Sequence, residues 1–553
     1  MKKNLVAFLC VFAPFLSVGQ FALKDSLRGG LRVERTCFDV IHYDLSVAIN
    51  SMDSSISGEN TITFKGVENS KVMQLDLYRN LEIDSVVQAG VQLKYIRKED
   101  AFFVYLNKSL TVGVIEKLTV YYKGNPTVAV HAPWDGGFVW KEDSLGRPFI
   151  GVACEGMGAS SWWPNKDHLS DKPDSMDIHF TVPKPFKCIA NGIQLEKTSF
   201  VEDSSLHTFN WHVSYPIINY NVTFYIGAFV KISDYYLSNS LSNPLSNSDT
   251  QSDTLQLNYF VLDYNKKRAI QHFKQVKPML KIYEELFGRY PFWKDGYKLV
   301  EAPYLGMEHQ SAIAYGNKFQ KGYLGRYLPG YEFDYVIIHE TGHEYWGNSV
   351  SMQDLADMWI HEAFCTYTEA LYVEKVFGYD KMVNYVQKGS KRIRNDKAII
   401  GHYHVNNMGS SDMYMKGSVL LHSLRTFVDN DSLWFATLKE IQSRFAYQSI
   451  NSEDIFESFE RTFGAHRIVF FKYFLQTSTL PTLIVSKGEK KKIFNLRWKN
   501  VPDGFTLPVA VRVKNNVHKV LVDKTGVNIQ TKKRRLKHVH PVNDFGLFKI
   551  EYE

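Results

Sequence analysis

His339-Glu340-Thr341-Gly342-His343 is the stretch on which the fold and the chemistry both turn. Side chains four apart share one face of a helix, so the imidazoles of His339 and His343 can bind a single ion. Val336, Ile337 and Ile338 lead into the motif as an apolar run consistent with a buried helix. A catalytic zinc ion takes three protein ligands and keeps a fourth position for water, so a third ligand must come from elsewhere. Glu362 stands nineteen residues past His343, within Trp359-Ile360-His361-Glu362-Ala363-Phe364, which reads as the next helix. Gly342 costs a helix about 1 kcal/mol relative to alanine. Such a conflict with local preference is more typical of a functional site than of a helix that merely carries two surface histidines.

Outward from the motif the hydrophobic period divides the chain. From about 40 to 230 it is two: Tyr43, Leu45, Val47 and Ile49 alternate with polar residues, then Ile62 and Phe64, then Ile178, Phe180 and Val182. Turn residues such as Ser57-Gly58 and Asn191-Gly192 separate these runs, which predicts half-buried strands. A Ser/Asn-rich patch from Leu237 to Thr254 reads as a surface loop. Near 265 the period becomes helical, through Ile270, Phe273, Val276, Leu280, Tyr283 and Phe287, and helical patterning dominates to about 476. Short β-like runs return beyond Pro481. The predicted order is an N-terminal β domain over 21–262, a mainly α catalytic domain over 263–483 and a small basic β domain over 484–553.

The composition of the 553 residues is 44% apolar and 14% aromatic, which excludes disorder for the whole chain. Five cysteines are too few for a disulfide-stapled scaffold. The net charge of +7 is concentrated at the ends: 484–553 carry +10 and 1–20 carry +2, which leaves 21–483 at −5. Charge therefore gives no argument for a nucleic-acid partner of the catalytic part. Lys2 and Lys3 precede an apolar run from Leu5 to Leu16 and a small-residue exit, the pattern of a secretory signal peptide over 1–20. The run falls short of the roughly 20 residues that span a bilayer, and no later stretch reaches transmembrane length. An exported protein, periplasmic or extracellular, is expected. Cys37, Cys154, Cys188 and Cys365 would remain after processing. Spacing does not pair them, and buried thiols account for them equally well. Lys532, Lys533, Arg534, Arg535 and Lys537 form a basic run in the last domain. It reads as a solvated strand edge or as a weak contact with an anionic surface, screened by salt.

The sequence resembles the aminopeptidase N family of zinc metallopeptidases, the gluzincins, which also includes leukotriene hydrolase. Beyond the metal motif the resemblance rests on Trp346-Gly347-Asn348, Tyr414-Met415-Lys416-Gly417, Trp163-Pro164 with Asp167, and Gly306-Met307-Glu308-His309, over roughly 37–483. It implies an N-terminal saddle-shaped β domain, a thermolysin-like catalytic domain and a small C-terminal β-sandwich, without the long helical C-terminal domain of larger relatives and hence with a more open cleft. It implies one Zn²⁺ held by His339, His343 and Glu362, with Glu340 as general base and Tyr414 donating to the oxyanion. Glu308, in its Gly306-Met307 context, and Glu155 match the family's acids for a peptide's free α-ammonium. Three departures stand out: His309 replaces an Asn, Ala153 replaces a Gln two residues before Glu155, and His361 precedes the third ligand where Asn is usual. The expected partner is a peptide with a free N-terminus. A thermolysin-type endopeptidase is the nearest alternative, and it has no use for paired amine-binding acids. An epoxide hydrolase and an inactive peptide-binding protein are further ones.

Overall fold

The computed structural model describes residues 21–196, 205–238, 254–513, 516–531 and 538–553. The signal-peptide assignment to 1–20, most of the Ser/Asn-rich patch and the basic run at 532–537 lie outside the described residues. Among the described residues no helix is long and apolar enough to cross a membrane.

The period-two segments form strands. In Phe38–Asn50, Tyr43, Leu45, Val47 and Ile49 are buried while residues between them face outward, as one covered face of a sheet requires. This strand pairs antiparallel with Ser55–Gly66 and parallel with Ser175–Pro183, in the middle of an eight-stranded sheet. A four-stranded sheet orders Lys187–Ala190, Phe224–Gly227, Pro148–Ala153 and Gly137–Glu142. Its strand Pro148–Ala153 runs directly into the loop that carries Glu155.

A five-stranded sheet underlies the metal motif, in the order Phe229–Leu237, Thr254–Leu262, Tyr297–Glu301, Ile313–Tyr315 and Gly306–Met307. Thr254–Leu262 pairs in parallel with Tyr297–Glu301. The boundary expected at 262/263 therefore does not hold: this sheet hydrogen-bonds across it, and the catalytic unit includes strands from 229 onward. The boundary expected at 483/484 falls inside the strand Thr482–Lys487. That strand belongs to a four-stranded sheet with Ile493–Lys499, Val527–Gln530 and Lys549–Tyr552, next in sequence to a three-stranded sheet built on Leu507–Val513.

The helical part includes Val276–Phe287, Tyr335–Tyr345, Trp359–Phe377, Tyr379–Ser390 and Met415–Val428. Trp359–Phe377 is buried without interruption from Trp359 to Val373, the property of a helix at the centre of a domain. Met415–Val428 packs against it so closely that a Cβ on Gly417 would lie 2.4 Å from the Cβ of Ala363. All four cysteines in the described residues are free and buried.

Candidate active site

Asp334 starts the motif helix Tyr335–Tyr345. Its Oδ1 accepts the N–H of Val336 at 2.9 Å, and its Oδ2 accepts the hydroxyl of Tyr315 at 2.7 Å. The cap thus supplies the orphan donors of the first turn and ties the helix to the five-stranded sheet. One turn later come the two histidines. His339 Nδ1 donates to Glu369 Oε1 at 2.7 Å, and His343 Nδ1 donates to the carbonyl of Trp346 at 3.1 Å. Both rings are thereby fixed with an Nε2 lone pair facing inward.

The two Nε2 atoms lie 3.2 Å apart. Glu362 Oε2 is 3.5 Å from one and 3.7 Å from the other, is buried, and has no hydrogen-bond partner. Two inward lone pairs and an unpartnered carboxylate oxygen repel one another unless a cation sits between them. The donor set, two imidazoles and one carboxylate within 4.8 Å of one another, suits Zn²⁺. The residues fit the metal that the motif predicts.

Around this triad the structure brings together the other predicted residues. Tyr414 donates to Glu362 Oε1 at 2.9 Å. Burial and the nearby carboxylates of Glu362 and Glu155 hold its phenol well above the ordinary range, so it keeps its proton. The Glu340 carboxylate approaches Gly306 so closely that a Cβ there would lie 2.6 Å from Oε1. That contact explains the glycine. Burial, opposed by His339 and reinforced by Glu308 and Glu362, pushes Glu340 up to about 8. Met307 is a buried residue of the short strand Gly306–Met307 beside it.

On the His343 side, Glu308, Glu155 and His361 converge with ligand atoms within 4.8 Å of one another. Burial and the charge of Glu308 raise Glu155 well above the usual carboxylate range, and its Oε1 is buried without a partner. Two carboxyl groups so placed await a cation or share a proton. The strand after which Glu155 lies and the strand before Glu308 belong to different sheets, so only tertiary structure unites them.

Two of the three departures, His361 and His309, acquire explanations. His361 is buried rather than exposed on a helix face; its Nε2 accepts the N–H of Met352 at 2.8 Å. Its Nδ1–H then faces the Tyr220 oxygen at 3.4 Å, and Tyr220 donates to Glu308 Oε1 at 3.0 Å. Burial pushes His361 down to about 3, so it stays neutral in this chain of hydrogen bonds. His309 is likewise neutral, pushed down to about 3 by burial, with Nδ1 2.7 Å from the hydroxyl of Tyr225, which donates to the Ala312 carbonyl. Asn348, of the Trp346-Gly347-Asn348 landmark, donates to the backbone oxygen of Glu308 at 2.6 Å. Sequence reasoning missed Glu369, Tyr220 and Tyr335, whose ring stacks on His339 at 5.3 Å. Glu369 had one signal: it lies seven residues past Glu362, two turns along the same helix face.

Residues 272–473 match the Peptidase family M1 domain. The chain is 20% identical to "Probable aminopeptidase 1" of Sulfurisphaera tokodaii over 89% of its own length, and spans 62% of that relative. It is 21% identical to "Leukotriene A-4 hydrolase" of Xenopus laevis, over 75% of this chain and 67% of that one. Among solved structures, the M1 zinc metallopeptidase from Deinococcus radiodurans shares the fold, with a TM-score of 0.64, 20% identity, 80% of this chain covered and 94% of that one. A mutant of a two-domain M1 zinc metallopeptidase bound to L-tryptophan superimposes with a TM-score of 0.65 at 20% identity, covering 80% of this chain and 96% of that one.

Proposed function

We propose that this chain, whose residues 272–473 are a Peptidase family M1 domain, is an exported zinc aminopeptidase that removes N-terminal residues from peptides. The observation that carries the reading is the pair Glu155 and Glu308 beside the His339–His343–Glu362 triad. A free α-ammonium next to the metal position relieves the repulsion between those two carboxylates. A chain interior has no such charge to offer, which speaks against an endopeptidase.

Zn²⁺ bound at the triad supplies Lewis acidity toward a peptide carbonyl and lowers the pKa of water toward about 7. Glu340, beside the metal position, accepts a proton from the attacking water and returns it to the leaving amine. Tyr414, protonated and hydrogen-bonded to Glu362 in the resting site, turns its donor toward the oxygen that gains charge. Glu308 is kept in place by Tyr220 and, through its backbone, by Asn348. It fixes the substrate's amine so that the first peptide bond meets the base.

Paired fluorogenic substrates test the reading: an aminoacyl amide with a free amine and the same compound N-acetylated, each with and without a zinc chelator. The free amine should be hydrolysed, the acetylated one at least 100-fold more slowly, and the chelator should abolish both rates. Equal rates on the two substrates would refute the exopeptidase assignment. Glu340→Gln should retain zinc by elemental analysis and lose a factor of about 10² to 10⁴ in kcat. Export rests on residues 1–20, and fractionation of the native host tests it: recovery in the cytoplasm with an uncleaved N-terminus would overturn it.

A further inference from the structure

Residues 21–30 lie ahead of the first strand and form the short helix Leu23–Gly29 with its cap Gly30. Within that helix only Leu27 is buried, so its own apolar surface gives it little hold on the protein. Buried side chains hold its backbone instead. Four consecutive carbonyls, those of Leu27 to Gly30, each accept a hydrogen bond. Gln74 donates to Leu27 at 3.0 Å, and Arg35 Nη1 donates to Arg28 at 2.5 Å and to Gly30 at 3.2 Å. His168 accepts the N–H of Ser170 on Nδ1, so Nε2 carries the proton and donates to the Gly29 carbonyl at 3.3 Å. Gln74 and Arg35 are fully buried, and both donate to Asp76, whose Oδ2 also accepts the N–H of Asp167 at 3.0 Å.

From this fixed backbone the segment touches two loops of the active site. Arg28 Nη1 donates to the carbonyl of Gly156, the residue after Glu155, at 3.2 Å, and its Nε lies 3.9 Å from Asp167 Oδ2. The guanidinium packs so closely on Gly158 that a Cβ there would lie 2.2 Å from Nη2. Gly158 also has a φ of 92°, so glycine is required on both counts. Between these contacts Tyr78 donates to the Met157 carbonyl at 3.0 Å. On the other side, a Cβ on Gly29 would lie 2.3 Å from the Val405 backbone, and the N–H of Asn406 donates to the Asp25 carbonyl at 3.1 Å. Phe21 meets the ring of His402 at 5.3 Å. Residues 402–409 lead on to the turn Ser411–Met413 and Tyr414. The segment and both loops meet around a small cavity of about 30 Å³, whose wall includes Arg28, Glu155, Asp354 and Asn406.

We propose that residues 21–30 act as a strap that completes the amine pocket, with Arg28 as a positioning residue that aims Glu155 at the substrate through the Gly156 carbonyl. This rests on the aminopeptidase reading, in which Glu155 receives an α-ammonium, and extends it to what places that carboxylate. Glu155 Oε1 is buried without a partner, so its aim depends on the backbone beneath it. Arg28 and Tyr78 hold the carbonyls of the next two residues, and Arg28 holds the nearer one. The Arg28 charge is compensated by Asp167, which leaves the Glu155 carboxylate to the incoming amine.

The test is steady-state kinetics on leucyl aminomethylcoumarin, with zinc content matched between variants. Arg28→Met keeps the apolar stem and removes the guanidinium. It should raise KM about tenfold with kcat within about threefold, the mark of lost binding to ground state and transition state alike. Arg28→Lys keeps a charge but cannot serve Gly156 and Asp167 together, and its KM should fall between. A strap that merely supports the fold would lower the melting point and leave KM where it was. In a Glu155→Gln background, Arg28→Met should change KM by less than about twofold, because its route to the substrate runs through the carboxylate already removed. A KM for Arg28→Met within about twofold of wild type, or an equal rise in both backgrounds, would overturn the proposal. Glu155→Gln separates the two readings. If it alone leaves KM unchanged, the amine-binding role of Glu155 falls and the strap's role with it; if it raises KM and Arg28→Met does not, the strap alone is struck.

Discussion

Glu369 offers the sharpest test of how the metal site is held. It is fully buried, accepts His339 Nδ1–H at 2.7 Å through one oxygen and the Tyr385 hydroxyl at 2.5 Å through the other. Its charge raises the basicity of the ring it holds, and its position keeps the Nε2 lone pair free for the metal. Glu369→Gln keeps an acceptor but loses the charge, which makes the hydrogen bond about half as strong. Glu369→Leu keeps the volume and removes the acceptor, so His339 must leave Nδ1–H unpaired or move its proton to Nε2, where it blocks the metal. Zinc affinity should fall about tenfold in the first and about 100-fold in the second, roughly 1.4 and 2.7 kcal/mol. Tyr385→Phe should change it by less than about threefold, since the His339 contact survives. Competition with a chromophoric chelator gives the three dissociation constants. Melting with and without zinc separates ligand positioning from fold: the donors of His339 and Tyr385 left unpaired lower the melting point of the metal-free Leu variant, whereas lost ligand positioning shows only in the shift that zinc adds. Zinc constants within twofold of wild type for Gln and Leu alike, or a larger loss for Gln than for Leu, would refute the argument.

Tyr414→Phe should lower kcat by about 10² to 10³ with KM within about threefold, the signature of a donor that acts on the transition state; steady-state kinetics with matched zinc content decides it. Gly306→Ala would put a methyl 2.6 Å from Glu340 Oε1 and 2.7 Å from Val336 Cγ1, so kcat should drop at least about tenfold by misplacing the base, while elemental analysis finds zinc unchanged. Lys298 is buried against Trp211, and burial, opposed by Asp295 and Glu344, pushes it down from 10.5 to about 8. Between those values the unfolded chain holds a proton that the folded one has released, so stability rises with pH across about 8 to 10.5, by about 3 kcal/mol from this group. Urea unfolding of Lys298→Met should show a flatter rise than wild type over that window, and parallel curves would contradict the assignment.

The triad was legible because its geometry is local: three residues between the histidines, and a third ligand on the following helix. Glu340 and Tyr414 followed from the motif and from resemblance. Glu369 is one of 58 acidic residues, and nothing in its own neighbourhood marks it until helix phase relative to Glu362 is considered. Tyr220 sits in the short turn Asn219–Asn221, and its contact with Glu308 spans a fold that no periodicity encodes. The sheet boundary was missed for a related reason. Tyr297–Glu301 is buried on both faces over most of its length, so it shows no alternation, and its parallel partner lies beyond two helices in the sequence. For Gly342 the outcome is mixed. A Cβ there would meet Thr368 Cγ2 at 3.4 Å and Cys365 Sγ at 3.6 Å, ordinary contacts that do not explain the glycine.

The sheet that joins Phe229–Leu237 and Thr254–Leu262 to Tyr297–Glu301 bears on how this chain can be cut and recombined. A gene fragment opening at 263 would begin two strands too late. Tyr297–Glu301 would become an unguarded rim of apolar backbone donors and acceptors, ready to pair with another copy. The metal motif would still be encoded in full, yet its product should precipitate. The metal motif is not a portable cassette: any folded transplant must carry the two preceding strands along with the histidines.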